Sequence, residues 1–218
     1  MEPFVTLTAI AAPLREADVD TDVIFPARFM LGPDKKGLGR HLFHERRTRA
    51  PADAPFVLDR PPWDRARILV AGRNFGTGSS REHAVWALAD FGIRCVIAPQ
   101  FGEIFFSNCF RNGVLPVVVG PDDHARLMAE AEAGRPLTVD LPAEEVRPAA
   151  GPPVRIPIEP HRKRALVEGL DEIGMILADD LAGIEAFETR HRLAQPWLFL
   201  GPDQLAHFDD VRAIPAQE

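Results

Sequence analysis

Cysteine is scarce: Cys95 and Cys109 are the only two in 218 residues. One lies in an apolar stretch and the other in an aromatic-rich one, so both read as buried free thiols rather than a disulfide. Two thiols fall short of the usual set that holds an iron–sulfur cluster, so any such centre must come from another chain. An excess of positive charge is also missing. Lys and Arg total 25 against 32 Asp and Glu, a formal net charge of -7, which argues against a nucleic-acid surface. The one basic cluster, His161-Arg162-Lys163-Arg164, precedes Ala165-Leu166-Val167 and reads as the solvated face of a helix. No apolar run approaches the ~20 residues needed to cross a bilayer. The start Met1-Glu2-Pro3 lacks the basic region of a secretory leader, so the expectation is a cytoplasmic protein. The familiar phosphate and nucleophile loops are absent too. A dinucleotide fingerprint would need a glycine where Arg81 stands, a P-loop would need Gly-Lys before the hydroxyl, and there is no G-x-S-x-G elbow.

What the chain does have is an ordinary globular balance, 46% hydrophobic and 26% charged, with enough length for one domain or a domain with an arm. Its most informative stretch runs from Gly72 to Leu88. The apolar run Ile68-Leu69-Val70-Ala71 reads as a buried strand and passes through Gly76 and Gly78 into a segment where Ala84, Leu88 and Phe91 share a helical face. Ser79 and Ser80 are suited to capping that helix, which would gather its free backbone N–H groups around Ser79, Ser80 and Arg81. Amide donors, two hydroxyls and a two-pronged guanidinium fit a small carboxylate. The same residues also fit a tight turn before an ordinary capped helix. His83, four residues after Ser79, invites a Ser–His pair, but a helix-surface or core histidine is the commoner case and no third member is evident.

Elsewhere, Phe4 to Ala12 is an expected strand ending at Pro13. Asp18, Asp20 and Asp22 alternate around Val19 and Thr21: a solvated turn, a hard-metal site or part of an active site, with the turn favoured because no calcium-loop spacing follows. The glycine- and charge-rich segment 32–39 has the composition of a mobile loop. Phe56-Val57-Leu58 reads as a short strand within a Pro/Ala-rich excursion. After the central stretch, strands are expected at Ile93–Ala98, Val114–Val119, Leu137–Leu141 and Val154–Ile158, and helices at Phe101–Asn112, Asp122–Ala133, Gly169–Leu177 and Asp179–Phe187. This alternation implies an α/β core with at least part of its sheet parallel. The tail 198–218, entered at Trp197 and carrying Phe199 and Leu200, has apolar surface to dock on a partner or on the domain itself.

The run Asn74-Phe75-Gly76-Thr77-Gly78-Ser79-Ser80-Arg81-Glu82-His83-Ala84 resembles the signature of the swivelling domain of the aconitase superfamily. Other stretches agree in order: Asp20-Thr21-Asp22, His41-Leu42-Phe43, Asn112-Gly113-Val114-Leu115-Pro116-Val117 and Gly169-Leu170-Asp171-Glu172-Ile173-Gly174. Within the superfamily the chain is most similar to the small-subunit family of bacterial 3-isopropylmalate dehydratases, over residues 1–197. The resemblance implies a three-layer ββα swivelling domain, as in the aconitase C-terminal domain. It also implies hydro-lyase chemistry in leucine biosynthesis, isomerising 2-isopropylmalate and 3-isopropylmalate through 2-isopropylmaleate. Two residues depart from the family pattern: Thr77 stands where these subunits more usually carry cysteine, and Asp18 where asparagine is usual.

A dehydration of this kind needs a base for a weakly acidic C–H, stabilisation of carbanion-like charge, and help for hydroxide departure. The resemblance implies Ser79, ionised, as the base, Ser80 as a hydrogen-bonding group and Arg81 as the carboxylate clamp. Thr21 and Asp22 are implied near the substrate, and Arg28 adds a second cation, although a lone surface arginine fits that position equally. No metal site is expected on this chain. A 4Fe-4S cluster is expected on a separate large subunit, with which the chain would form a heterodimer or heterotetramer. Two other readings stand beside this one: a related hydro-lyase acting on citraconate, citramalate or dimethylmaleate, and a non-catalytic anion-binding module.

Overall fold

The computed structural model describes residues 1–30, 34–78 and 81–206. Ser79 and Ser80, Gly32 and Pro33 of the expected loop, and residues 207–218 of the expected tail therefore lie outside the described residues. The chain divides into two compact units, Met1–Glu172 and Ile173–Glu218.

In chain order the first unit carries β1 (Thr6–Leu14), α1 (Thr21–Ile24), α2 (His44–Arg49), β2 (Ile68–Ala71), α3 (His83–Phe91), β3 (Cys95–Ala98), α4 (Glu103–Arg111), β4 (Leu115–Val118), α5 (Pro121–Glu132), β5 (Pro136–Asp140), β6 (Glu145–Arg147), β7 (Val154–Arg155) and α6 (Pro160–Glu168). The strands form one mixed sheet in the order β4-β3-β2-β1-β5-β6-β7. β1 to β4 pair in parallel, and β5 to β7 pair antiparallel. β1 belongs to both halves: Thr6 to Ile10 pair with β5, and Ala11 to Leu14 with β2. This is the α/β, ββα arrangement expected of the chain.

Both faces of the parallel half are covered. Leu69, Ala71, Val96 and Ala98 point into a core shared with Ala84, Val85 and Leu88 of α3. Ile68, Val70, Cys95 and Ile97 face a second core with Leu127, Met128 and Ala131 of α5 and with Leu137 and Val139 of β5. A strand buried on both faces has no polar alternation, which is why β2 and β3 read as unbroken apolar runs.

Several details differ from the expectations. β1 does not stop at Pro13 but runs through it. Pairing with β5 ends at Ile10, so on that side Pro13 lies on an edge, where a missing N–H breaks no ladder bond. Val57–Asp59 forms a 3₁₀ turn instead of a strand, and β6 was not expected at all. The two helical pieces after Gly169 are a single helix, α7 (Glu172–Ala194), since neither glycine nor proline interrupts the chain between Leu177 and Asp179. The second unit consists of most of α7, a 3₁₀ turn at Pro196–Leu198 and α8 (Pro202–Leu205). Among the described residues no helix is long and apolar enough to cross a membrane.

Candidate active site

The parallel pairing of β1 with β2 continues past both strands as a pairing of loops. Leu14 accepts from the Gly72 N–H at 2.8 Å, and the Asp18 N–H then donates to the Arg73 carbonyl at 2.9 Å. Val19 accepts from Gly76 at 2.7 Å, and Thr21 donates to Thr77 at 2.9 Å. On its other side the same stretch is held by Phe75 donating to Gln100 at 3.0 Å and Gly102 donating to Phe75 at 2.9 Å. The glycine motif is thus clamped between two loops at the carboxyl ends of parallel strands, the end at which open α/β sheets bind ligands.

Gly76 makes this clamp close. Its φ is +75°, and a Cβ there would stand 2.2 Å from the Phe105 ring. Gly78, at φ +91°, lies against the second loop: a Cβ would meet the Asp20 Cβ at 3.4 Å and the Thr21 hydroxyl at 3.8 Å. Asp20 caps α1 by accepting from the Val23 N–H at 2.7 Å, which aims Asp22 outward from the first turn. Thr21 is buried, and Asp22 meets Arg81, whose Nη2 donates to Asp22 Oδ2 at 2.7 Å. Arg81 Nη1 also lies 3.8 Å from Met30 Sδ. Three of the expected residues, Thr21, Asp22 and Arg81, are therefore brought together at one place.

Arg28 lines an open cleft of about 620 Å³ with Asp22, Pro26, Ala27, Glu45 and Arg49. It is already engaged: it pairs with Glu45 and lies 4.6 Å over the Phe29 ring. That hydrogen bond holds the Glu45 carboxyl below its ordinary range. Beside it, Phe29 stacks on His41 at 4.0 Å. Burial, with Arg40 next to it, pushes the His41 ring below its ordinary pKa, and Arg40 Nε donates to His41 Nε2 at 2.9 Å.

The start of α3 requires a correction. The helix begins at His83 with Glu82 in the cap position and no side-chain cap bond, rather than at Ser79 and Ser80. Gly76 and Gly78 both stand at positive φ, outside helical geometry, and Arg81 precedes the helical N–H groups instead of sitting among them. His83 packs as an aromatic, 6.2 Å from the Phe25 ring and 4.6 Å from Trp86, and its Nδ1 has no hydrogen-bond partner among the described residues.

Sequence reasoning also passed over Asp18. At φ +56° its carboxylate accepts from Asn74 Nδ2 at 2.8 Å and Arg73 at 3.3 Å, pinning the aspartate loop to the head of the motif. The signal available was its place in the Asp18, Asp20, Asp22 series. As for metals, Cys95 and Cys109 face different cores, and burial pushes both thiols up, the opposite of what a metal thiolate needs. No group of three His, Cys, Asp or Glu among the described residues is placed to hold an ion. The donor set described in this chain does not suit an iron–sulfur cluster.

Comparison with known proteins places this architecture. The family model described as the aconitase C-terminal domain matches residues 1–121. The 3-isopropylmalate dehydratase small subunit of Xanthobacter autotrophicus is 50% identical over 202 residues, covering 91% of this chain and 100% of the relative. The protein of the same name from Azorhizobium caulinodans is 49% identical with the same coverage. The crystal structure of a 3-isopropylmalate dehydratase from Methanocaldococcus jannaschii superposes with a TM-score of 0.61 at 25% identity, over 84% of this chain and 99% of that one.

Proposed function

We propose, from the premise that this chain belongs to the small-subunit family of 3-isopropylmalate dehydratases within the aconitase superfamily, that it supplies the base and the carboxylate clamp for isomerising 2-isopropylmalate and 3-isopropylmalate in leucine biosynthesis. Removal of a C–H proton and of hydroxide gives the alkene 2-isopropylmaleate. Return of water with the two positions exchanged completes the isomerisation.

In this reading Ser79 takes the proton. An alkoxide is costly in water, and positive charge nearby lowers its cost. Ser80 hydrogen-bonds the substrate, and Arg81 grips one carboxylate as a planar donor pair. Thr21 and Asp22 lie at the substrate, and Arg28, which lines a cleft with Asp22, offers a second cation. The observation that carries the reading is the convergence of Thr21, Asp22 and Arg81 on the glycine motif, with Arg81 held 2.7 Å from Asp22. A guanidinium already poised on a carboxylate is suited to exchange it for the carboxylate of an incoming diacid. The Lewis acid for hydroxide departure belongs to a large subunit carrying a four-iron cluster, and the assembled pair works in the cytoplasm.

The experiment is anaerobic co-expression with the large subunit, then an assay of alkene formation from 2-isopropylmalate and from citramalate with wild type and Ser79→Ala. Turnover of the isopropyl acid that vanishes in Ser79→Ala supports both substrate and base. Turnover of citramalate alone keeps the base and replaces the substrate. A cluster-loaded complex that turns over neither acid sinks the enzyme reading and leaves the anion-binding module.

A further inference from the structure

Asn112, the C-terminal cap of α4, has a side-chain amide that joins three segments. Its Oδ1 accepts from the Trp86 indole N–H at 2.9 Å and from the Lys35 ammonium at 3.1 Å. Its Nδ2 donates to the Asn108 carbonyl at 2.9 Å and to the Glu82 carboxylate at 3.5 Å. An amide has two donor hydrogens and two acceptor lone pairs, and here each has a partner. The indole can only donate and the carbonyl can only accept, so the orientation of the amide is set. Lys35 is held a second time, with its ammonium 4.7 Å over the Trp86 ring.

Further along, the Gly39 N–H donates to Asp90 Oδ2 at 2.7 Å, and a Cβ on Gly39 would stand 2.6 Å from the Phe91 backbone nitrogen. Trp86 and Asp90 are one turn apart on α3, so the segment 35–39 is fastened along a single helical face. Lys35 follows Met30 by five residues, at most about 17 Å of extended chain. Met30 is the residue whose sulfur lies 3.8 Å from Arg81. Fastening Lys35 therefore limits how far Met30 can leave Arg81.

We propose that Asn112 and Trp86 form a latch for Lys35, and that Lys35 is a positioning residue that keeps Met30 against Arg81. The inference rests on the reading of Arg81 as the substrate clamp. Glu82 extends the connection, since it follows Arg81 directly and receives the remaining Asn112 hydrogen.

Removing Asn112 would take the acceptor from the Trp86 indole N–H and endanger the fold, so the test uses Lys35, which is exposed. In the assembled two-subunit enzyme, Lys35→Met should raise KM for 2-isopropylmalate about 3- to 10-fold with kcat within about two-fold, the size expected for one lost cation–π contact and one hydrogen bond. Amide hydrogen exchange across residues 34–39 should accelerate. Lys35→Arg, which keeps a cation over the ring and a donor to Asn112, should restore both readouts. Unchanged exchange in Lys35→Met overturns the latch, and faster exchange with unchanged KM overturns its link to the site. If the wild-type complex does not turn over the acid, the functional reading falls. The exchange comparison on the chain alone then still decides the latch, acceleration supporting it and equality overturning it.

Discussion

The Arg81 guanidinium donates to the Asp22 carboxylate across 2.7 Å, joining residues 59 positions apart in the chain. Both groups retain solvent contact, 28% and 56% of their side-chain surfaces being exposed. A pair this open contributes about 0–1 kcal/mol to stability. In the proposed reading its importance is that it fixes the direction of the guanidinium, and direction is what recognition of a carboxylate requires.

From this follows a separation of stability from activity. Arg81→Lys should leave the melting temperature within about 2–4 °C of wild type while kcat/KM of the assembled enzyme falls about 10- to 150-fold, the loss of one charge-assisted hydrogen bond. Asp22→Ala should be equally mild in Tm. A large Tm drop in either variant, seen by calorimetry, would mean that the pair is a structural element.

Gly76→Ala is expected to act the other way. The methyl would meet the Phe105 ring at 2.2 Å on a backbone at φ +75°. Overpacking and left-handed strain together cost about 2–5 kcal/mol, or roughly 4–20 °C in Tm. Pairing it with Phe105→Leu should recover part of that loss, and a double variant no more stable than Gly76→Ala would argue against the ring as the obstacle.

The lowered pKa of His41 makes stability depend on pH near neutrality. Burial and the adjacent Arg40 favour the neutral ring in the folded state, whereas the unfolded ring titrates near ~6.5. Between these two values the unfolded chain binds more protons, so this contribution is complete above ~6.5 and is lost as pH falls towards the lowered folded value. A nuclear magnetic resonance titration placing His41 at or above ~6.5 would refute this.

A carboxylate predicts a second loss at more acid pH. Glu130 is buried, and its hydrogen bonds from Arg135, at 2.7 and 2.6 Å, hold its pKa below the usual range. The stabilisation is present above the unfolded value of ~4.3 and disappears as pH drops through the folded one. Glu130→Gln should lower Tm at neutral pH and flatten the acid side of the Tm–pH curve; parallel curves for the two proteins would exclude the contribution.

Much of this molecule is legible from local chemistry. Ile68 to Ala71 and Cys95 to Ala98 announce buried strands, and Gly76 and Gly78 announce a turn, because hydrophobic periodicity and positive φ are properties of short segments. The start of α3 differs from the expectation because Ser79 and Ser80 have the chemistry of a cap, and nothing local in the sequence marks His83 as the first helical residue. β6 was missed because three residues, Glu145 to Arg147, carry little pattern of their own and become a strand by pairing with Thr138 to Asp140.

The sequence by itself determined the family, the alternation of strands and helices, and Arg81 as the cation of the motif, since each follows from residues near one another in the chain. Only the tertiary structure decided that Asp22 is the partner of Arg81, that Asp18 ties the aspartate loop to Asn74, and that Lys35 and Trp86 meet at Asn112. The reason is the sheet: parallel register between β1 and β2 carries the two loops past each other in step, and no local pattern encodes which residues then stand opposite.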